Sequence, residues 1–429
     1  MRVVKSWVGM CLFLGVFLWA LTGLGHAAAH SFVLLDMQDD GVGVELELPL
    51  LELELALKHP LQGSPGDVIP TYGAEFASYI AAHVAPAAPD GRPWRVSEPE
   101  LGMGRENDVA YLDAHLRMTP PVGAPVERFT FHYDVITNQV LGHMALVAIR
   151  SDWRRGVFAN HPEVVGVIRF LHEAIPIDRS AGSEWSGFRG IVGLGVKHIA
   201  DGTDHLLFVF MLLLPAPLLA AGSRWGAFAG ARRTSSNLAQ IVTAFTVGHS
   251  LTLAAGAVGW LRLPSRLVEI AIAVSIFVSA VHAFRPIFPG RERWVAAGFG
   301  LVHGLAFATV IGELGLGARR MALAIFGFNV GIELMQLAVV ALATPWLVVL
   351  ARTRFYPGVR TAGSLCGAAA ALGWLVQRAF GWPNPLGPWV DAAARHAGWL
   401  LASLATAAIM AAVADRRERR RSSVAGVAA

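Results

Sequence analysis

The chain has 429 residues, of which 54% are hydrophobic and 15% charged, with a mean hydropathy of +0.50 and a formal net charge of +4. A composition this apolar excludes a soluble enzyme and indicates a multi-span membrane protein. No nucleic acid is expected among its partners.

Residues 1–29 carry the features of an export signal. Arg2 and Lys5 form a basic start, an apolar run covers 8–24, and Ala27-Ala28-Ala29 supplies the small residues of a cleavage site that would leave His30 at the mature N-terminus. An uncleaved anchor is the alternative, and it leaves the following residues on the same exported side. The two cysteines, Cys11 in the signal and Cys366 in a late apolar stretch, leave the exported region without a disulfide.

Residues 30–186 read as a soluble, strand-rich domain. Runs at 31–37, 42–48, 109–118, 128–136 and 141–149 are separated in several places by Gly, Pro, Asp and Asn clusters. Such a pattern predicts an exported β-sandwich-like domain large enough to bury its own core. The eight histidines from His30 to His172 show no ligand spacing and are read as surface or core residues.

From residue 187 to 414 the pattern predicts a polytopic α-helical bundle of about seven spans, at 190–214, 238–260, 267–284, 294–312, 321–350, 359–380 and 396–414. Arginines collect in alternate loops: Arg224, Arg232 and Arg233; then Arg285, Arg291 and Arg293; then Arg352, Arg354 and Arg360; and finally the basic tail, 415–429. The positive-inside rule places these on the cytoplasmic face, so the N-terminal domain is exported, the C-terminus is cytoplasmic, and the span number is odd, with five as the fallback.

Within the first apolar segment the chain reads Gly195-Val196-Lys197-His198-Ile199-Ala200-Asp201-Gly202-Thr203-Asp204-His205. Ionisable groups inside a membrane segment cost about 2.5–3.5 kcal/mol each on insertion scales and mark ion paths or reaction sites. On a straight helix His198 and His205 would share a face but stand about 10.5 Å apart. Either the helix breaks near Gly202 or the two histidines serve successive sites. His249, His303 and Glu333 fall near mid-span in three further segments, with Asn329 one turn before Glu333. Imidazole and carboxylate together suit nickel, cobalt and zinc. His282 and Glu269, near opposite ends of their segment, read as structural or interfacial.

Those residues resemble the HupE/UreJ family, in its branch with an exported N-terminal domain. The resemblance rests on Gly195 to Phe208 with its His-x5-Asp-His pattern, on Phe245-Thr246-Val247-Gly248-His249-Ser250-Leu251-Thr252, on Gly300-Leu301-Val302-His303-Gly304 and on Phe328-Asn329-Val330-Gly331-Ile332-Glu333. It implies secondary transport of nickel or cobalt linked to metalloenzyme maturation, with His198, Asp204 and His205 on the metal path and His249, His303 and Glu333 beside it.

The expected function is therefore a permease for a divalent transition metal in the cell inner membrane, rather than an enzyme. No tightly bound cofactor is expected. Its partners would be the metal ion, the lipid bilayer and a periplasmic protein for the exported domain. Two alternatives stand beside this: an intramembrane zinc hydrolase in which three histidines hold the metal and Asp204 or Glu333 acts as base, and a membrane scaffold whose activity lies with the exported domain.

Overall fold

The computed structural model describes residues 30–58, 61, 65–106, 109–158, 162–312 and 314–427. The predicted export signal lies outside the described residues. The chain divides between Gly182 and Ser183 into two units.

The N-terminal unit is built on β1 (Ser31–Met37), β2 (Val42–Pro49), β3 (Arg95–Val96), β4 (Glu100–Glu106), β5 (Val109–Thr119), β7 (Met144–Asp152) and β8 (Glu163–Arg169), which form one sheet in the order β3-β5-β2-β1-β7-β8, with β4 on the same edge of β5 as β3. The β1–β7 pair is parallel and the others antiparallel. Alternate residues of these strands are buried: Val33, Leu35 and Met37 on β1, and Val42, Val44, Leu46 and Leu48 on β2. Period-two burial gives the sheet one core face and one polar face. On the polar face Arg150 pairs with Asp36 at 2.5 Å and also with Glu45.

The second layer corrects the expected sandwich. Helices α1 (Leu50–Leu57) and α2 (Pro65–Ala82), together with a ribbon of β6 (Arg128–His132) and β9 (Ala174–Asp178), share the core through Leu53, Phe76, Ile80, Phe129, Phe131 and Ile177. Residues 42–48 and 51–57 each place leucine or valine at every second position, mostly around glutamate, and so resemble two strands. Pro49 stands between them, and its fixed φ and missing donor end the sheet ladder and suit a helix start. Glu52 then falls in the first turn of α1, where the helix dipole favours a carboxylate. Glu52 also bonds the buried His143 Nδ1, whose Nε2 meets Ser31 Oγ at 2.8 Å.

In the second unit, α3 (Glu184–Asp201) and α4 (Thr203–Leu213) meet at Gly202. A hairpin of β10 (Leu218–Ala221) and β11 (Arg224–Phe228) follows. The remaining helices are α5 (Ala231–Ala257), α6 (Ser265–Phe284), α7 (Glu292–His303), α8 (Ala308–Gly312), α9 (Ala318–Ala351), α10 (Tyr356–Phe380), α11 (Gly387–Arg395) and α12 (Ala397–Val427). Among the described residues, five helices are long and apolar enough to cross a membrane: α5, α6, α9, α10 and the 397–418 part of α12. Segments 190–214 and 294–312, each expected as one continuous span, are instead divided into α3 with α4 and α7 with α8. Large apolar side chains remain exposed along the long helices, including Leu251, Leu267, Phe326, Leu334 and Leu365, while Trp260, Trp294, Trp382 and Trp389 are exposed near helix ends. This is the surface a bilayer requires, apolar at mid-depth with indoles at the interfaces.

Candidate metal centre

Glycine contacts set the frame. A methyl group at Gly195 on α3 would overlap the Phe328 carbonyl on α9, and one at Gly331 on α9 would overlap the Val192 carbonyl on α3. The same reciprocity joins α5 and α7, where Gly248 abuts the Ala297 carbonyl and Gly300 abuts the Phe245 carbonyl. Such contacts let helix backbones touch without a side-chain layer between them. Each lies within a turn of a predicted site residue, so it fixes His198 and Asn329 on one pair and His249 and His303 on the other.

The break at Gly202 brings the two histidines of the first motif together. Gly202 has φ −74° and ψ 94°, outside the helical region, and its N–H still bonds the His198 carbonyl. His198 and His205 thereby come to a ring-centroid separation of 4.6 Å. His249 lies 6.4 Å from His198, and His303 lies 5.1 Å from His205. The shared cluster is thus formed by His198, Asp204, His205, His249 and His303.

Hydrogen counting decides which nitrogen each ring presents. Asp204 Oδ1 can only accept, so His205 donates its Nδ1–H to it at 2.9 Å and keeps its lone pair on Nε2. The Asn329 amide nitrogen donates to the Ile325 carbonyl, so its oxygen takes the His249 Nδ1–H at 3.3 Å. Ser275 gives its one hydroxyl proton to the Ile272 carbonyl at 2.7 Å, so its oxygen accepts from His303 Nε2 at 2.9 Å. The unprotonated atoms are then His205 Nε2, His249 Nε2 and His303 Nδ1. All three, with His198 Nε2, are buried without a hydrogen-bond partner. Orphaned buried polar atoms are costly, about 1–3 kcal/mol each, and three acceptors with a fourth imidazole beside them make a candidate donor set for a cation.

An aromatic sleeve surrounds them. Phe307 packs 4.6 Å and Phe328 5.4 Å from His198, while Phe208 and Phe245 lie 5.3 and 5.2 Å from His303. No three of these imidazole and carboxylate donors fall within 4.8 Å of one another among the described residues. The tetrahedral zinc of a structural or catalytic site holds nitrogens at about 2.0–2.1 Å, which sets them about 3.4 Å apart. The rings form an open file instead.

Glu333 is not brought into the cluster. It accepts from Thr243 Oγ1 at 3.0 Å, and with the Thr246–Gln336 and His249–Asn329 pairs it forms a polar seam between α5 and α9. His282 presents the opposite chemistry from the cluster: its Nδ1 accepts from the Ile287 N–H, so its buried Nε2 carries a proton, and its ring stacks on Phe288 at 3.8 Å. The structural reading of His282 fits this. Lys197 pairs with Asp201, at 3.9 Å.

Two cavities flank the file, at opposite ends of α6. One of 630 Å³ is lined by Glu269, Gln377, Arg378, Asn384 and Asp391, and the Arg378 guanidinium reaches from it to within 4.0 Å of Asp204 and 3.7 Å of Glu269. The other, of 230 Å³, is lined by Asn237, Gln240, His282 and Glu292 among others. Ser275 stands between them on α6, about 9 Å of helix from Glu269 and about 10.5 Å from His282. Arg378 and Ser275 touch the candidate site, through Asp204 and His303, and sequence reasoning did not single them out. Arg378 reads from sequence as a loop charge, and a lone membrane serine carries no signal.

A family model described as HupE / UreJ protein matches residues 175–378. Comparison with curated proteins and with solved structures gives no match.

Proposed function

Residues 175–378 belong to the HupE/UreJ family, and from that premise we propose that the protein is a permease for a divalent transition metal, nickel or cobalt. The observation that carries the reading is the file of four imidazoles, three with their protons fixed outward by Asp204, Asn329 and Ser275, lying between a polar cavity and a smaller one of mixed lining. A hydrated ion would meet the carboxylates of Glu269 and Asp391 in the larger cavity and pass Arg378. It would then exchange water for the nitrogens of His205, His198, His249 and His303. Asp204 supplies the nearest negative charge. The loop arginines orient the larger cavity outward and the smaller one inward in the inner membrane, with α3–α4 and α7–α8 completing seven crossings.

Spacing favours transport over the hydrolase. A resident catalytic zinc needs three donors closed around one point with one position open, whereas passage needs weaker pairs reached in turn. No nucleotide-binding motif is present in the sequence, so an ion gradient or the membrane potential would drive uptake.

The test is accumulation of radioactive nickel or cobalt by proteoliposomes containing the parent protein or His249→Ala. Parent vesicles should accumulate metal and the variant should not. Equal accumulation in parent and protein-free vesicles would overturn the proposal, and stoichiometric copurified zinc that is lost in His249→Ala would favour the hydrolase.

A further inference from the structure

The N-terminal unit holds a second group of donors, built at the end of the β6–β9 ribbon. His132 closes β6 directly opposite Ala174, the first residue of β9, so Glu173 lies beside it. His132 and Asp134 are two residues apart on extended chain and therefore leave the same side, while Tyr133 between them is fully buried. The backbone is tied on both flanks: the Ala85 N–H donates to the His132 carbonyl at 3.0 Å, the Tyr133 N–H to the Glu173 carbonyl at 2.9 Å, and the Asp134 N–H to the His83 carbonyl at 3.1 Å. One donor atom from each of His132, Asp134 and Glu173 lies within 4.8 Å of the other two. No other trio of histidine, cysteine or carboxylate donors among the described residues does so.

The pair of His132 with Glu173 is loose, and Asp134 stands beside it. His132 Nε2 and Glu173 Oε2 are 3.8 Å apart, too far to hydrogen-bond, although the ribbon holds them side by side. Asp134 is braced from behind, because His83 Nδ1 donates to its Oδ1 at 2.8 Å and the His83 ring packs on Tyr79 at 4.3 Å. Outer hydrogen bonds of this kind orient metal ligands. Two carboxylates and one imidazole match the charge and the softness of zinc, cobalt or nickel. Closing from 4.8 Å to about 3.4 Å between donors is within reach of half-buried side chains.

We propose that His132, Asp134 and Glu173 form a binding site for a divalent transition-metal ion, with His83 as the residue that positions Asp134. The site stands on the N-terminal unit alone and does not depend on transport.

The test is a cobalt titration of the purified full-length protein carrying His205→Ala and His249→Ala, which removes donors of the membrane cluster. Binding is read from visible absorption and calorimetry. One cobalt ion per chain should remain in this background and be lost on adding His132→Ala or Glu173→Gln. His83→Ala should weaken it about 10- to 100-fold, and His115→Ala, whose ring meets Glu45 at 3.8 Å, should change nothing. Should His132→Ala unfold the unit by circular dichroism, the near-isosteric Glu173→Gln decides. Unchanged cobalt affinity in Glu173→Gln, or no cobalt bound in the starting background, would overturn the proposal. Loss of transport in vesicles with cobalt binding still sensitive to Glu173 would refute only the permease.

Discussion

Replacing Asp204 by asparagine keeps the shape of the side chain and removes its charge. Asp204 Oδ1 accepts from both the backbone N–H and the ring Nδ1–H of His205, each at 2.9 Å. Hydrogen bonds to a charged acceptor are worth about 1.5–3 kcal/mol against about 0.5–1.5 for a neutral one, so the ring bond alone loses about 1–1.5 kcal/mol. Asp204 also sits in the first turn of α4, where a negative charge contributes about 0.3–1 kcal/mol through the helix dipole. The permease reading converts the weaker hold on the His205 tautomer into a metal affinity lower by about 10- to 100-fold, or about 1.4–2.8 kcal/mol. We therefore expect the half-saturating metal concentration for Asp204→Asn vesicles to rise by that factor, with uptake well below saturation falling in proportion. Asp201→Asn is the control, since Asp201 is exposed and pairs with Lys197. Identical uptake curves for the two variants would refute the assignment of Asp204 to the path.

Three further outcomes follow from the same geometry. Arg378→Gln removes a positive charge 4.0 Å from Asp204, so half-saturation should move to lower metal concentration, opposite in sign to Asp204→Asn in the same assay. Gly202→Ala places a methyl group 2.7 Å from the His198 carbonyl and 2.8 Å from His205 Nδ1; it should cut uptake by about tenfold or more through misplacement of the ring, while helical content by circular dichroism stays unchanged. In the N-terminal unit, burial lowers the pKa of His143 despite the opposing Glu52. The unfolded chain then binds the extra proton first, so stability is full above about pH 6.5 and falls as pH drops toward the folded value. Urea unfolding monitored in this unit between pH 5 and 7 should show that slope, and His143→Gln should flatten it.

Much of the membrane site is legible in the sequence because burying charge in apolar segments is expensive and rare. His198, Asp204, His205, His249 and His303 stand out on that ground, and the distance between His198 and His205 on a straight helix leaves two readings, successive sites or a break near Gly202, of which the structure takes the break. Glu333 stood out for the same reason, yet its partner is Thr243, because two groups at similar depth on different helices share a site only if rotation about each axis agrees. The glycine pairs were half visible: Gly300-x3-Gly304 and Gly327-x3-Gly331 carry the small-residue spacing, but nothing in one helix names its partner. In the N-terminal unit, β1, β2 and β5 follow from period-two alternation, whereas α1 was hidden by the same alternation resuming over residues 51–57. His132 and Asp134 gave no sign because Glu173 joins them only through strand pairing.

The reciprocal glycine contacts also divide the bundle into pairs of helices whose backbones touch. Backbones in direct touch at Gly195 and Gly331, and again at Gly248 and Gly300, have no side-chain layer to deform, so α3 with α9 and α5 with α7 each behave as a rigid block. Between the blocks lies the α5–α9 seam, held by polar pairs such as Thr243 with Glu333 that can exchange partners at small cost. His249 and His303 ride on one block and His198 on the other. On the permease reading, a gate built this way would open by sliding one block past the other, with Asp204 and His205 on α4 outside both. A disulfide engineered across Thr243 and Glu333 should then arrest cation turnover, and one engineered between α5 and α7 should leave it running.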